Sequence, residues 1–546
     1  MIISLQFNPF FTTIIFMLHE LLPFGLIMVF IIVLLNIWAT KLKIAYPILL
    51  VLAGLGISFI PGLPVIRIDP DMIFLIFLPP LLYEASWTVS FKEMKKWWRI
   101  IGSFAFLVVF FTAFLVAITA NHFIPGFSIA LGFVLGGIVS PPDAVSTGAI
   151  TKFVKIPKST SAILEGESLL NDASSLIVFR FALVAVGTGQ FIWQTAIKDF
   201  LWMLVGGVGT GLIVGFIFMK IHKKWSTDRV SDTALTLIAP YFMYWLAEQA
   251  HCSGVLAVVS GGLFLSSQRL SFLSSSSRIT GFSVWQSFVF ILNGIVFLII
   301  GLELPEIVDG IKANGIPLET AIIYGAIVTL VLILARMVSS YIAIFATIIF
   351  RPKVAHNMQQ QGRSWWAPLA MGWTGMRGVV SLAAALSIPL QLNGEPFPHR
   401  NLILFITFEA ILLTLVVQGL TLPWVISKFK PFSGLANLEH DEQETRQHIK
   451  KGLKQHVYDH IKNKFESEER WQGHAGMEKV LKHWENQANT QDIRWIDDDI
   501  KAVLLEMFEL QRNYLHELNK DPKIDEEIIR MQVYQIDLEE ERIRYV

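Results

Sequence analysis

Residues 164–179 read LEGESLLNDASSLIVF and place three carboxylates and an amide inside an otherwise apolar chain. Glu165, Glu167, Asn171 and Asp172 lie in a segment long enough to cross a bilayer. An ionisable group at such a depth is costly and usually functional. The residues around this segment therefore indicate both the class of fold and the kind of site.

The composition is that of a polytopic helical membrane protein. The chain has 546 residues, of which 53% are hydrophobic and only 16% charged, and its mean hydropathy is +0.54. Apolar runs of about 20 residues, enough to cross the hydrocarbon core, recur as far as Lys428. These runs are continuous rather than alternating, which favours helices over a β-barrel.

Other global features exclude or leave open several classes. The first apolar run lacks a basic start, so we expect a retained span rather than a cleaved signal peptide. The single cysteine, Cys252, excludes an intramolecular disulfide and a cysteine-based metal site. The net charge of zero indicates no particular partner, and we expect membrane lipid around the chain and no nucleic acid.

We predict thirteen membrane spans. They cover residues 17–40, 44–60, 71–90, 100–121, 127–151, 159–188, 199–219, 232–250, 253–268, 282–303, 319–350, 366–391 and 401–427. Dividing 232–268 into two spans requires a very tight turn between His251 and Gly254.

Basic residues are concentrated in alternate loops. These loops contain Lys41, Lys43, Lys92, Lys95, Lys96, Arg99, Lys152, Lys155, Lys158, Lys220, Lys223, Lys224, Arg229, Arg269, Arg278, Arg351, Lys353 and Arg363. The intervening loops hold only Arg67, Lys198, Lys312 and Arg400. Because cytoplasmic loops are enriched in Lys and Arg, we predict an outside N-terminus and a cytoplasmic C-terminus in the cell membrane.

The composition changes after Pro431 and becomes charged. We predict a transmembrane domain over residues 1–429 and a cytoplasmic helical domain over 430–546. Residues 523–546, KIDEEIIRMQVYQIDLEEERIRYV, have apolar positions at helical spacing and predict a helix that packs or pairs with another.

Four charged residues fall near the middle of four predicted spans. They are Asp143, Asp172, Arg336 and Arg377. Asp172 lies thirteen residues into its span, a depth of about 20 Å at about 1.5 Å per residue. Because these depths agree, we expect a shared polar site near the midplane of the membrane.

Helical spacing defines the centre of this site. Ser168 and Asp172 are four residues apart and stack along one helix, as do Glu167 and Asn171. The Ser168 hydroxyl and the Asp172 carboxylate can therefore face one small ion, and such hard oxygen ligands suit a cation such as Na+. An isolated buried carboxylate binds a proton when no cation is present. A group that takes either a proton or a cation is the minimal part of an exchanger.

Two spans contain helix breakers near the same depth. GGIVSPPDAVSTG, residues 136–148, contains Pro141 and Pro142, and GWTGMRGVVS, residues 372–381, contains three glycines. Broken helices in corresponding halves of a transporter indicate inverted repeats with the substrate site between them. Arg377 is then expected at the negative ends of the broken helices, and Asp143 at their positive ends.

Glu167 and Arg336 are interpreted as a structural ion pair. A lone arginine at mid-depth is costly, and Glu167 is the nearest acid by depth.

EGESLLNDASS, SPPDAV and GMRG together resemble the monovalent cation:proton antiporters. The resemblance is to the sodium/proton exchangers whose sixth-helix motif is Asn-Asp, of the bacterial type, and it covers residues 17–428. It implies an all-α membrane fold of about 13 helices with inverted repeats and two broken crossing helices.

The resemblance implies a role for each matching residue around the ion. Asp172 would alternate between cation and proton, and Na+ would be held by Asp172, Asp143 and Ser168. Asn171 would stabilise the site by hydrogen bonding. Where many members have a threonine, this chain has Pro142, which retains a carbonyl ligand but no hydroxyl.

The resemblance also implies supporting residues and an assembly. Glu167 and Arg336 would position the sixth helix, Glu84 would lie near the cytoplasmic approach, and Arg377 would be the arginine of the second broken helix. Spans 4–6 and 11–13 would move against spans 1–3 and 8–10 in a homodimer. No cofactor is implied, since Na+ and H+ are transported substrates.

The single exchangeable carboxylate of the Asn-Asp motif predicts electroneutral exchange of one proton for one cation, which regulates intracellular pH and sodium. Exchange of K+, Li+ or an organic cation, a cation channel, and a membrane enzyme are the alternatives. We find no nucleophile–base pair, histidine pair within a span, or phosphate loop that would indicate an enzyme.

Overall fold

A computed structural model describes most of residues 1–429, the membrane part, and the end of residues 430–546, the tail. The described residues are 9–42, 44–60, 74–143, 148, 158–190, 193–225, 228–350, 366–392, 394–429, 498–522 and 524–544, with scattered positions between 445 and 467. Several residues named above lie outside this set: Lys43, Arg67, Lys152, Lys155, Arg351, Lys353, Arg363 and Pro431.

The described chain is almost entirely helical. Its first helices are α1 (Pro9–Leu42), α2 (Tyr46–Ser58), α3 (Leu78–Thr88), α4 (Phe91–Gly102), α5 (Val109–Phe123), α6 (Ile129–Val139), α7 (Lys158–Thr188), α8 (Trp193–Trp225), α9 (Arg229–Gln249) and α10 (Gly254–Phe272). They are followed by α11 (Ser275–Leu302), α12 (Leu304–Ala313), α13 (Leu318–Phe350), α14 (Ala367–Trp373), α15 (Val379–Leu386), α16 (Arg400–Leu413), α17 (Gly419–Phe429), α18 (Asp498–Leu518) and α19 (Glu526–Arg544). Two π-helical segments, Ser103–Val108 and Thr414–Gln418, join α4 to α5 and α16 to α17.

The class of fold predicted from the sequence is confirmed. Eight helical segments within the described residues are long and apolar enough to cross a membrane. The exact number of thirteen crossings stays a prediction, because several helices, such as α2 and α6, are shorter.

The predicted division of 232–268 into two helices is confirmed. Helix α9 ends at Gln249 and α10 begins at Gly254, with Ser253 capping the backbone N–H of Leu256. His251 adopts a left-handed conformation with φ of 54°, which reverses the chain within four residues.

Two details of the predicted spans are wrong. Helix α12 follows α11 directly and was not predicted, because its ten residues are too few for a spanning run. The helix predicted over 366–391 ends at Leu386, and a short antiparallel hairpin follows, in which Gln391–Leu392 pairs with Glu395–Pro396. Pro389 lies just beyond the helix end, where proline disfavours its continuation.

Small residues allow close contact between the membrane helices. Gly54 on α2 and Gly301 on α11 lie against each other's backbone, so that a side chain at either position would collide with the other helix. Such contacts favour association in lipid, where the hydrophobic effect does not drive helices together.

The end of the tail packs onto one end of the helix bundle. Helix α19, the predicted packing helix, contacts both α18 and α11. Asp537 on α19 accepts hydrogen bonds from Arg278 in the first turn of α11 and from Arg512 on α18. The first residue of α19, Glu526, lies at the turn between α3 and α4, where the Ser90 hydroxyl donates to its carboxylate at 2.7 Å.

The charge of Glu526 is stabilised in this position. Burial opposes ionisation, but the Arg530 charge and the hydrogen bonds from Ser90 and the Lys92 backbone outweigh it, so the pKa of Glu526 lies below its usual value. The tail is therefore fixed to the bundle by buried charged groups as well as by apolar packing.

Candidate functional site

The polar stretch of residues 164–179 forms part of one unbroken helix, α7. Ser168, Asn171 and Asp172 are all buried, with exposed fractions of 8%, 0% and 7%. The hydroxyls of Ser174 and Ser175 donate to carbonyls of their own helix, which lets serines remain in a helix in an apolar medium. Because α7 is unbroken, the residues of each predicted pair, Ser168 with Asp172 and Glu167 with Asn171, lie one turn apart on the same helix.

The first predicted break is present. Helix α6 ends at Val139, and Pro141, Pro142 and Asp143 follow in a non-helical conformation. The Asn171 side-chain amide lies 3.5 Å from the Pro142 carbonyl oxygen, to which it donates. The second proline therefore lies against the Asn-Asp motif of α7.

The second predicted break lies between α14 and α15, over residues 374–378. The two breaks touch: the Asp143 backbone N–H donates to the Met376 carbonyl at 2.7 Å. The Asp143 carboxylate lies next to Gly378, whose place before α15 puts the carboxylate near the positive end of that helix.

Arg377 is 1% exposed and forms hydrogen bonds with residues at both breaks. Its Nε donates to the carbonyl of Val139, the last residue of α6, and an NH group donates to the carbonyl of Gly375. Its backbone N–H donates to the Thr414 hydroxyl at 3.1 Å. The guanidinium thus lies at the negative end of α6, as its charge predicts.

The two site carboxylates act on each other electrostatically. Asp143 is the charged group that influences Asp172. Asp172 makes no hydrogen bond through its side chain among the described residues, whereas its backbone carbonyl is bound by Ser175. The arrangement leaves the Asp172 carboxylate available to a proton or a cation.

Glu167 and Arg336 are in direct contact. Both NH groups of Arg336, on α13, donate to the two carboxylate oxygens of Glu167, one of them at 2.9 Å. The two residues are 1% and 3% exposed. A bidentate pair of this kind satisfies both charges and fixes α7 against α13.

Glu84 lies apart from the junction of the breaks. It is on α3, partly buried, and lines a cavity beside the tail. Tyr46, on α2, is within electrostatic reach of both Glu84 and Asp143. Tyr46 is therefore a neighbour of the site that the sequence analysis missed, since a tyrosine near a helix start carries no distinctive signal.

Other partners of the site also could not be found from sequence motifs. The Met376 carbonyl and the Thr414 hydroxyl hold the breaks, but the first is backbone and the second lies in a π-helical segment. Such segments often occur at functional sites but lack a sequence signature.

The match to known proteins covers this same part of the chain. The family described as the transmembrane sodium/hydrogen exchangers matches residues 26–428. The chain belongs to this family. The family match ends at residue 428, so helices α18 and α19 of this exchanger lie outside the matched region.

Named relatives of this exchanger are antiporters. The Na+/H+ antiporter ApNhaP of Aphanothece halophytica is 31% identical over 389 residues, which cover 71% of this chain and 70% of that protein. A sodium, potassium, lithium and rubidium/H+ antiporter of Bacillus pumilus is 33% identical over 393 residues, covering 70% of this chain and 58% of that protein.

A solved structure has the same fold. The sodium proton antiporter MjNhaP1 of Methanocaldococcus jannaschii matches 74% of this chain and 99% of its own, with a TM-score of 0.56 and 20% identity. The exchanger therefore has the architecture of an antiporter in its membrane part.

The contact between Glu167 and Arg336 predicts a loss of stability on Glu167→Ala. Removing the acid strands a buried guanidinium, at a cost of about 3–5 kcal/mol. We expect a marked fall in the melting temperature of the purified protein in detergent, and a lower yield.

Asp309→Ala is the matched control. Asp309 also pairs with a base, Lys312, at 3.6 Å, but the side chains are 76% and 62% exposed. Exposed pairs contribute little, so this variant should melt close to the unmodified protein. A Glu167→Ala protein as stable and active as the control would refute a stabilising role for the pair.

Proposed function

We propose that this exchanger is a secondary active transporter that exchanges Na+ for H+ by alternating access. The observation that carries the proposal is the position of Asp172, a buried carboxylate beside the contact of two broken helices. Half-helix ends at the midplane are where transporters bind ions. The chain then performs no chemical reaction of its own and requires no cofactor.

In the proposed cycle, Asp172 is the group for which the two substrates compete. The cation binds to the carboxylates of Asp172 and Asp143 and to the Ser168 hydroxyl, with the Pro142 carbonyl as a further oxygen. Asn171, which donates to that carbonyl, orients the site without carrying a charge. When the cation leaves, a proton takes its place on Asp172 because an unpaired carboxylate is costly at this depth.

Arg377, Glu167 and Arg336 support the site in this scheme rather than bind the ion. Arg377 holds the carbonyls of the breaks, and the Glu167–Arg336 pair joins α7 to α13. Glu84 is proposed to lie on the cytoplasmic approach of the cation.

Alternating access would arise from movement of one group of helices against another. We propose that predicted spans 4–6 and 11–13 carry the site, and that spans 1–3 and 8–10 form the stationary part of a homodimer. We also propose that the N-terminus lies outside and the C-terminus in the cytoplasm of a cell-membrane protein. Residues 1–429 would form the transport domain and residues 430–546 a cytoplasmic domain.

K+ and Li+ are alternative substrates of the same mechanism. The Bacillus pumilus relative is named for transport of sodium, potassium, lithium and rubidium. The absence of a threonine hydroxyl at Pro142 changes the ligand set, so selectivity is to be measured with each cation.

Exchange should depend on Asp172. In proteoliposomes with an internal pH dye, we expect external Na+ to cause an internal pH change that disappears in Asp172→Asn and is much reduced in Asp143→Asn. K+ and Li+ are added in parallel, and empty liposomes give the leak. Exchange that persists in Asp172→Asn would remove the central assignment.

The exchange should also be insensitive to voltage, since one positive charge replaces another. A potential is imposed with K+ and valinomycin, and the pH change that K+ causes without Na+ is subtracted from the Na+-driven pH change. We expect equal rates at either sign of the potential. A rate strongly driven by voltage would refute one-for-one exchange, and current without proton movement would indicate a channel.

A further inference from the structure

A cavity of about 580 Å³ lies between the membrane helices and the tail. Glu84 forms part of its wall, whereas Asp143, Ser168, Asn171 and Asp172 are not among its lining residues. Its walls come from the ends of α3, α9, α10 and α11 and from α19. Trp87, Phe282, Trp285, Met531 and Tyr534 supply much of the lining. This volume falls within the range of about 300–1,000 Å³ typical of sites for small molecules.

Three hydrogen-bond donors that line this cavity lack acceptors. The side chain of Arg269, in the last turn of α10, donates no hydrogen bond and forms no ion pair among the described residues. The Nε of Arg530 is buried and makes no hydrogen bond in the described part of the chain, whereas its NH groups donate to the Thr88 and Val89 carbonyls and to Glu526. The indole N–H of Trp87 is buried beside the Tyr83 hydroxyl and makes no hydrogen bond of good geometry there. Buried donors are nearly always satisfied, so their presence together indicates a ligand that accepts hydrogen bonds.

Each acid that lines the cavity has an interaction partner. Asp232 is bound by His222 at 2.8 Å and by Ser277 at 2.7 Å. Asp537 is bound by Arg278 and Arg512. The other two lining acids, Glu84 and Glu527, also have interaction partners of their own.

Both cations and anions surround Arg269, but the nearby acids are engaged by other groups. Arg278 and Arg530 are both close enough to act on it, and so are Glu526 and Asp537. Glu526 already accepts hydrogen bonds from Ser90 and Arg530, and Asp537 is occupied as described above. Within the described residues, the Arg269 side chain is thus left without a direct acidic contact.

The remaining walls suit a hydrocarbon chain. Trp285 packs on Tyr83 with ring centroids 5.1 Å apart, and Phe282 packs on Tyr534 at 6.2 Å. Phe282 and Tyr534 remain 52% and 43% exposed, so the apolar lining continues to the surface at the end of the bundle. An amphiphile could enter there from the membrane interface.

We propose that this cavity binds an anionic amphiphile, with its carboxylate or phosphate head on Arg269, Arg530 and Trp87 and its hydrocarbon chain along the aromatic wall. Charge-assisted bonds from guanidinium groups recognise either head. The source is either an anionic phospholipid or a free fatty acid, and both share this chemistry.

The test is native mass spectrometry of the delipidated full-length protein in neutral detergent. Phosphatidylglycerol, phosphatidylcholine with the same chains, and oleate are titrated separately. We expect one tightly bound anion per chain, and binding about tenfold or more weaker in Arg269→Gln, because hydrogen bonds to charged groups are strong. Trp87→Phe replaces the indole by a smaller aromatic ring that has no N–H donor, and should weaken binding several-fold.

Lys220→Gln is the control, since Lys220 is a basic residue near the end of α8 that lies outside the cavity. Binding of phosphatidylglycerol alone supports the phospholipid, and binding of oleate alone supports the fatty acid. Equal binding of phosphatidylcholine, or anion binding unchanged in both cavity variants, would overturn the proposal. If the Arg269→Gln protein misfolds, the conservative Trp87→Phe variant still decides the test.

Discussion

The Asp143 N–H and the Met376 carbonyl meet at 2.7 Å, and the rest of the site depends on this contact between two broken helices. Inside a membrane no water is available to unpaired backbone groups, so a break in a helix is stable only where protein groups replace the lost bonds. Here each break supplies partners for the other. Arg377 adds its guanidinium to the carbonyls of Val139 and Gly375. The same bonds that stabilise the breaks place polar atoms beside Asp172.

The charges of this region divide into two groups. Glu167 and Arg336 neutralise each other through a bidentate contact, and Arg377 is held by carbonyls. Asp143 lies at the positive end of α15, and Asp172 is left without a fixed cationic partner among the described residues. The charges around Asp172 are neutralised by partners, whereas its own carboxylate is not. Such a site is suited to binding a mobile positive charge, whether a proton or a metal cation.

The features of the site that arise from composition and spacing could be predicted from the sequence. Proline pairs, glycine clusters and buried charges each have a physical cost that makes them visible, which is why both breaks and the residues of α7 could be predicted. Contacts through the backbone or through ordinary side chains could not be predicted, as with the Met376 carbonyl and the Thr414 hydroxyl. The hairpin at Gln391–Pro396 and the amphipathic α12 were missed because neither has the length of a span. The tail helix α19 was visible from its apolar spacing, but its docking through Asp537 and Arg278 depends on tertiary structure.

The central claim is that cation and proton exclude each other on Asp172. Proton release on cation binding tests it most directly, using the purified protein in weakly buffered detergent with a pH indicator. Addition of Na+ should release one proton for each Na+ bound, choline should release none, and the release should be absent from Asp172→Asn. Na+ binding without proton release, or undiminished release from the variant, would contradict this account.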